Sequence, residues 1–372
     1  MSDLKPKPRY MMIGGFLGAG KTTAVLQIAE RLRDKGLRVG LITNDQSYGL
    51  VDTVMLGSHG FPVEEITGGC FCCKFNSLVE ASDRLSAATR PEVFIAEPVG
   101  SCTDLKATVD YPLRRIYGND FSIAPLSVMV DPIRAARILG LEPGKSFSKK
   151  VVYIYRKQLE EAEILVVNKT DLLTTDRLRQ LIAALKSEFP LSHVLPVSAR
   201  DGVGINEWIS LTEEDRPRTS GVMAVDYSIY AEGEALLGWL NCMVGFESAS
   251  PVDGNAVLLG ISTQIQSRLA SQSAEIAHLK LTLTPDEGND IAVANLVRND
   301  GAPELSHRLQ EPLTAGQLIV NLRAEADPEL LRDAVNEMFQ AMASQKGLRF
   351  KIEHLESFRP GKPVPTHRLA NV

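Results

Sequence analysis

Cysteine is scarce in this chain, five residues in 372, and the five do not recur at the spacings of a disulfide framework. There is no Lys/Arg-rich run, and 46 acidic against 40 basic residues give a net charge of −6. That balance argues against a nucleic-acid or anionic-membrane partner. No stretch approaches the ~20 apolar residues of a membrane span. The N-terminal Lys5, Lys7 and Arg9 ahead of an apolar stretch mimic a short signal peptide. The stretch is Gly-rich, however, and runs straight into Lys21, so it reads as a buried strand and loop. A cytoplasmic address is expected. Internal repeats and low-complexity tracts are missing as well.

What is present is ordinary globular composition, 44% hydrophobic and 23% charged. A chain of 372 residues is comfortable for two domains. From residue 9 to about 212 short apolar runs alternate with amphipathic stretches. Strands are expected at Tyr10–Ile13, Val39–Thr43, Val93–Ala96, Leu126–Val130, Ile164–Val167 and Val194–Val197. Helices are expected at Thr22–Lys35, Ser77–Ala88, Tyr153–Ala162, Thr175–Ser187 and Ile205–Leu211. This alternation predicts an α/β domain, residues 1–215, with a mostly parallel sheet. A polar linker around Thr212–Gly221 follows. Residues 216–357 read as a smaller α+β domain with an antiparallel sheet. Its expected strands are Val222–Ile229, Ala277–Thr284, Ile291–Val297, Gln317–Leu322 and Arg349–Glu353, with helices at Asn255–Ser273 and Pro328–Ser344. Residues 358–372 form a Pro-rich, extended tail.

Gly15-Phe-Leu-Gly18-Ala19-Gly20-Lys21-Thr22-Thr23 is a complete phosphate-binding loop between a strand and a helix. Its glycines let successive N–H groups face a phosphate, and the helix N-terminus adds a favourable field. Lys21 reaches the β/γ oxygens of a nucleoside triphosphate, and Thr22 offers a hydroxyl to Mg²⁺.

Further on, the buried run Ile164–Val167 leads into Asn168-Lys169-Thr170-Asp171. An Asp carboxylate here accepts from guanine N1–H and N2–H₂, the Lys stem covers a ring face, and the Asn ties the loop to the phosphate loop. Adenine lacks both donors and would leave Asp171 unpaired. Ser198-Ala199 would bring a backbone N–H to guanine O6. The bland alternative makes Thr170 or Asp171 a helix cap. Lys21, Glu97 and Asp45 are the expected catalytic set. Glu97 ends a strand at the carboxyl edge and serves Mg²⁺ with Thr22. Asp131 is its rival, although it reads better as a cap before Pro132. Asp45 would approach the γ-phosphate, with Asp52 a weaker candidate. Chemistry at such a site is positioning and charge stabilisation.

Cys70-Phe71-Cys72-Cys73 follows Gly68-Gly69. Cys-x-Cys-Cys can place two or three thiolates on one soft ion, and three leave a tetrahedral position open. Zn²⁺ suits such donors, as does Cu(I), with Co²⁺ as a probe. Buried structural thiols or a redox pair are the alternatives. His59, Glu64 and Glu65 could add ligands, whereas Cys102 and Cys242 read as isolated.

The phosphate loop, Gly69-Cys70-Phe-Cys-Cys73, Glu97-x-x-Gly100 and Asn168-Lys-Thr-Asp171, in this order, resemble the CobW-type P-loop GTPases. The resemblance covers most of residues 9–212. It implies a GTP-hydrolysing metallochaperone that hands a transition metal, zinc foremost, to a client metalloprotein. A homodimer is compatible with it. The resemblance also implies a switch from Asn44 to Asp52. Relatives usually read Asn-Glu-Phe-Gly-Glu there; here the first acid is kept as Asp45 and the second is replaced by Tyr48. The His-rich tract of many relatives is missing, so single-ion transfer is expected rather than storage. Two other readings stay open: a P-loop phosphotransferase with a small-molecule acceptor, and a non-catalytic, nucleotide-regulated adaptor.

Overall fold

Apolar runs too short for helices build the first sheet, and their burial on both faces explains why they are continuous rather than alternating. A computed structural model describes residues 7–45, 51–214, 222–288 and 290–369. In chain order the first part holds β1 (Arg9–Gly15), α1 (Lys21–Asp34), β2 (Val39–Asn44), α2 (Val51–Ser58), β3 (Val63–Ile66), α3 (Phe75–Thr89) and β4 (Val93–Glu97). A π turn at Lys106–Asp110 leads into α4 (Tyr111–Tyr117), then β5 (Ser122–Ile123), β6 (Ser127–Val130), α5 (Pro132–Ile138) and α6 (Lys149–Glu161). β7 (Ile164–Val167), α7 (Thr175–Glu188), β8 (His193–Pro196) and α8 (Ile205–Glu213) complete it.

The strand order is β3-β2-β4-β1-β6-β7-β8, with β5 a short extra partner of β1. Every pairing is parallel. All five residues of β4 are buried, as are all four of β7. Val25, Ile28 and Leu32 of α1 pack with Met11, Ile13, Leu41 and Ile95 of the sheet. Strand order reverses around β1, which makes the carboxyl ends of β1, β4 and β6 the crevice where ligands of such sheets bind.

The second part runs α9 (Tyr227–Leu236), β9 (Leu237–Val252), α10 (Gly254–Ser271), β10 (Glu275–Pro285), β11 (Ala292–Leu296), β12 (Glu304–His307), β13 (Leu313–Glu325), α11 (Pro328–Lys346) and β14 (Leu348–Phe358). Its sheet is antiparallel, in the order β12-β11-β10-β13-β9-β14. Leu258, Ile261 and Ile265 of α10 and Val335 and Met338 of α11 share a core with Val244, Leu281 and Val320 of the sheet. Each such side chain contributes about 1.5–3 kcal/mol by burial. Asp253 and Asp327 cap α10 and α11 by accepting from backbone N–H groups.

The chain divides into two compact units, Met1–Ala231 with Pro363–Val372, and Glu232–Lys362. The α/β and α+β classes expected from the patterning are both met. One expected strand is not: residues 222–226 carry no regular structure, and α9 begins at Tyr227. The strand that patterning missed is β9, an inner strand paired by β13 on one side and by the edge strand β14 on the other. The first six residues of β9 are all buried, but Gly238 and Asn241 break the continuous apolar run by which a fully buried strand is recognised. Among the described residues no helix is long and apolar enough to cross a membrane.

Candidate functional site

The phosphate loop links β1 to α1. Gly20 caps α1 in the left-handed conformation, φ +90°, and a Cβ there would meet Asn168 Nδ2 at 2.5 Å. Gly15, at φ +132°, would bring a Cβ to 2.5 Å from Met129 O. Both positions therefore require glycine for conformation and for space, leaving a cradle of bare backbone. Lys21 and Thr22 are buried at its floor. Thr22 Oγ1 donates to Glu97 Oε1 at 3.2 Å, and Lys21 Nζ lies 4.0 Å from the same oxygen. A hydroxyl that donates to Glu97 is oriented with its oxygen as an acceptor, the role a cation ligand needs. Thr23 is exposed on α1.

Asn168 is 2% exposed and ties two loops to its own. Its Nδ2 donates to Ala19 O at 2.9 Å, and its Oδ1 accepts from Ala199 N at 3.0 Å. Of the Ser198-Ala199 backbone, from which an N–H to guanine O6 was expected, the Ala199 N–H is thus engaged with Asn168 and the Ser198 N–H with Val203 O at 3.1 Å. Lys169, at φ +57°, donates from Nζ to Gly18 O at 2.7 Å and to Asp131 Oδ2 at 2.8 Å. Burial opposes ionisation of Asp131, but Lys169 and Arg134 outweigh it and hold the carboxyl well below the usual range. Asp131 caps α5 by accepting from Arg134 N, as its position before Pro132 suggested, and it also anchors Lys169 beside the phosphate loop. Asp171 does not cap α7; Thr174 does. Ser198 Oγ sits 2.8 Å from Asp171 Oδ1 and 2.7 Å from Asp201 Oδ2, and its single proton serves one of them at a time.

Asn44 closes β2, where Thr43 is in register with Glu97. Its Nδ2 donates to Ile66 O at 2.9 Å and to Gly69 O at 2.7 Å. The Asp45 N–H bonds Ile66 O. Residues 46–50 of the expected switch, Tyr48 included, lie outside the described residues, as does the side chain of Asp52.

The thiols occupy the loop between β3 and α3. Gly68 and Gly69 take φ +75° and +151°, and the N–H groups of Cys73 and Lys74 both bond Cys70 O. This bend turns three side chains to one point. The Sγ separations are 2.7 Å for Cys70–Cys72, 3.3 Å for Cys70–Cys73 and 3.7 Å for Cys72–Cys73. Tetrahedral zinc with Zn–S of ~2.3 Å needs edges of about 3.8 Å. The Cys72–Cys73 edge is at that length, the Cys70–Cys73 edge would open by about 0.5 Å on loading and the Cys70–Cys72 edge by about 1 Å. No disulfide joins any of the five cysteines. His59 and Glu64 are engaged elsewhere, with Met55 O and Arg84, and neither joins the thiols.

Cys102 is not isolated. Its thiol hydrogen-bonds Cys70, and this contact first, then those of Cys72 and Cys73, holds the Cys70 thiol well below its ordinary value. The same contact, from the other side, pushes Cys72 up, and bonding to Cys70 raises Cys73 to about 11. Sequence reading missed Cys102 because 30 residues separate it from the cluster; the available signal was its place five residues after the strand-ending Glu97.

The C-terminal segment also reaches this loop. Val364 N donates to Cys73 Sγ at 3.3 Å, Thr366 N to Cys72 O at 2.8 Å and Thr366 Oγ1 to Cys73 O at 3.1 Å. The His367 ring meets Phe75 edge-on at 5.0 Å, and Arg368 pairs with buried Asp104 at 2.7 Å.

Fold and site together define a P-loop nucleotide-binding protein with a thiol cluster on the same sheet edge. The nucleotide-binding domain of the CobW/HypB/UreG family matches residues 9–194, and the chain belongs to this family, which includes GTP-dependent metallochaperones. The hydrogenase maturation factor HypB from Archaeoglobus fulgidus is similar at 19% identity, over 55% of this chain and 89% of that one, with a TM-score of 0.38. HypB from Helicobacter pylori, in complex with nickel, is 16% identical over 58% of this chain and 93% of that one, at a TM-score of 0.42. The Zn(II)-bound YjiA GTPase from E. coli is 14% identical over 90% and 99%, at 0.36. No curated protein matches the sequence.

Proposed function

We propose that this protein binds and hydrolyses GTP and uses the cycle to control transfer of a transition-metal ion, zinc foremost, to a client metalloprotein. The observation that carries the reading is the Asn44–Gly69 hydrogen bond. It joins the end of β2, where the expected nucleotide switch begins, to the residue just before Cys70.

Mg²⁺·GTP supplies a phosphoanhydride whose cleavage drives the cycle. Bare backbone from Gly15 to Gly20 receives the phosphates, Lys21 neutralises their charge, and Thr22 presents its lone pairs to the cation. Glu97 holds the Thr22 hydroxyl in that orientation and, with Asp45, is the acid at the carboxyl edge that positions water. Asp171 reads the base. The Cys70, Cys72 and Cys73 thiolates carry the metal as cargo, each giving up its proton on binding. Zinc fits an all-sulfur donor set, and a three-thiolate site keeps a position open for exchange.

Co²⁺ titration of the reduced protein, followed by visible and near-UV absorption, tests this. The titration is run with GTP·Mg²⁺, with GDP·Mg²⁺ and without nucleotide. Thiolate-to-metal bands that vanish in Cys72→Ser and differ between nucleotide states are expected. Equal bands in all three states would separate the metal site from the switch. Phosphoryl transfer to a small molecule, with negligible hydrolysis, would replace the GTPase reading with a kinase.

A further inference from the structure

We propose that Cys102 is the fourth thiolate of the metal site, delivered by the loop that follows Glu97. The proposal rests on the reading that Cys70, Cys72 and Cys73 carry the ion.

Three buried thiols, Cys70, Cys72 and Cys102, come together beside the half-buried Cys73 although their loops are distant in sequence. Cys70 and Cys72 leave the carboxyl end of β3, Cys102 leaves that of β4, and β2 lies between these strands. Cys102 and Cys72 are each 1% exposed and Cys70 is 7% exposed. The Cys102 thiol touches both Cys70 and Cys72. It does not share this contact with Cys73. Five edges of a four-sulfur tetrahedron are therefore already in contact, and only the Cys73–Cys102 edge stands open. A soft cation would take thiolates gathered in this way as ligands.

The loop that carries Cys102 is built as a lever from the nucleotide site. Glu97 accepts from Thr22 in the phosphate loop. Three residues on, Gly100 lies against Leu17 of the same loop so closely that a Cβ would meet Leu17 Cδ2 at 2.8 Å and Leu17 N at 3.0 Å. Two residues further stands Cys102. Its N–H bonds Val99 O at 2.9 Å, and Gln158 Nε2 of α6 donates to both Gly100 O and Cys102 O, at 3.0 and 2.8 Å. The segment from Glu97 to Cys102 is thus tied into one turn. A shift of Glu97 with nucleotide state shifts the Cys102 sulfur, closing or opening the last edge. Closed, the site is a four-sulfur holder; open, it is a three-sulfur donor with a free position. Metal and nucleotide affinities are then coupled reciprocally. The excess negative charge of the closed site faces the Val364 N–H at Cys73.

Zinc K-edge X-ray absorption on the reduced full-length protein with one equivalent of Zn²⁺ reads the donor set directly. Wild type and Cys102→Ser are compared with GDP and with a non-hydrolysable GTP analogue, and a chelator competition gives affinity. Four sulfurs at about 2.3 Å are expected in one nucleotide state of the wild type, and three sulfurs with one lighter donor in Cys102→Ser. Altering groups that only orient ligands weakens binding by ~10–100-fold, so losing this one should cost more than ~100-fold. Cys242→Ser, in the core of the second unit, should change neither. Three sulfurs and a lighter donor in the wild type in every nucleotide state would overturn the proposal and leave the three-thiol reading standing. That wild-type spectrum decides even if Cys102→Ser does not fold. Zinc with no sulfur neighbours would remove both.

Discussion

Replacing Asn168 by alanine should cost the first unit much of its stability before any nucleotide is added. The side chain is 2% exposed and makes two hydrogen bonds of 2.9 and 3.0 Å. Truncation leaves Ala19 C=O and Ala199 N–H behind without their partner. Each orphaned group costs about 1–3 kcal/mol, so the pair costs about 2–6 kcal/mol. A whole domain has only about 5–15 kcal/mol to lose. Gly20, whose absent Cβ leaves room for Asn168, would also lose its neighbour, and the cradle would loosen. Urea unfolding of wild type and variant, each with and without saturating GDP, measures both effects. At 100 times Kd a ligand adds about 2.7 kcal/mol, and this increment should shrink in the variant because the cradle is no longer held. Hydrogen exchange at the Ala199 amide should quicken. Asn168→Asp is the control: it keeps an acceptor for Ala199 N–H but sets a carboxylate oxygen against Ala19 C=O, and should be no better than alanine. An unfolding free energy within about 0.5 kcal/mol of wild type, with the GDP increment intact, would refute the assignment of Asn168 as the tie between these loops.

Asp171→Asn should move GTP toward the ~10⁴-fold discrimination reached when a base meets unmatched hydrogen-bonding groups, while xanthosine triphosphate, whose C2 carbonyl accepts from the new amide, gains; competition binding showing unchanged GTP affinity would remove Asp171 from base reading. Burial lifts Glu161 from its ordinary 4.5 to about 8, against the Lys106 N–H that it accepts, so the folded state binds more protons than the unfolded and stability falls as pH rises from 4.5 toward 8. Glu161→Gln should flatten that slope in urea titrations across the same window, and an unchanged slope would show that Glu161 does not hold the proton. Deleting residues 363–372 takes away the Val364 N–H and the two Thr366 bonds on the thiol loop, so iodoacetamide should label Cys73 of the metal-free protein several-fold faster; equal rates would mean that the segment does not guard the thiol.

The nucleotide site was legible in the sequence because its chemistry is local. A phosphate cradle needs glycines at fixed offsets from a Lys-Thr pair, and guanine reading needs Asn, Lys and Asp within four residues of a strand end. The three clustered thiols were legible for the same reason, since one glycine pair, Gly68-Gly69, and one turn suffice to aim them together. Asp131 was read correctly as a cap from the proline behind it, but its ion pair with Lys169 was not, because no local pattern links two strand ends.

Continuous apolar runs revealed the parallel strands buried on both faces, such as β4 and β7. β9 was lost because Gly238 and Asn241 interrupt its apolar run although its first six residues are buried, and the apolar residues before it were mistaken for the strand. Cys102 beside Cys70 and Cys72, and Val364 beside Cys73 from 291 residues away, were decided by tertiary structure alone. Parallel pairing stacks the carboxyl ends of β2, β3 and β4 along one edge, so loops distant in sequence become neighbours there. The sequence alone determined which atoms could grip a phosphate, a guanine and a soft metal; only the sheet, by fixing the order and register of its strands, decided which of those atoms share a site.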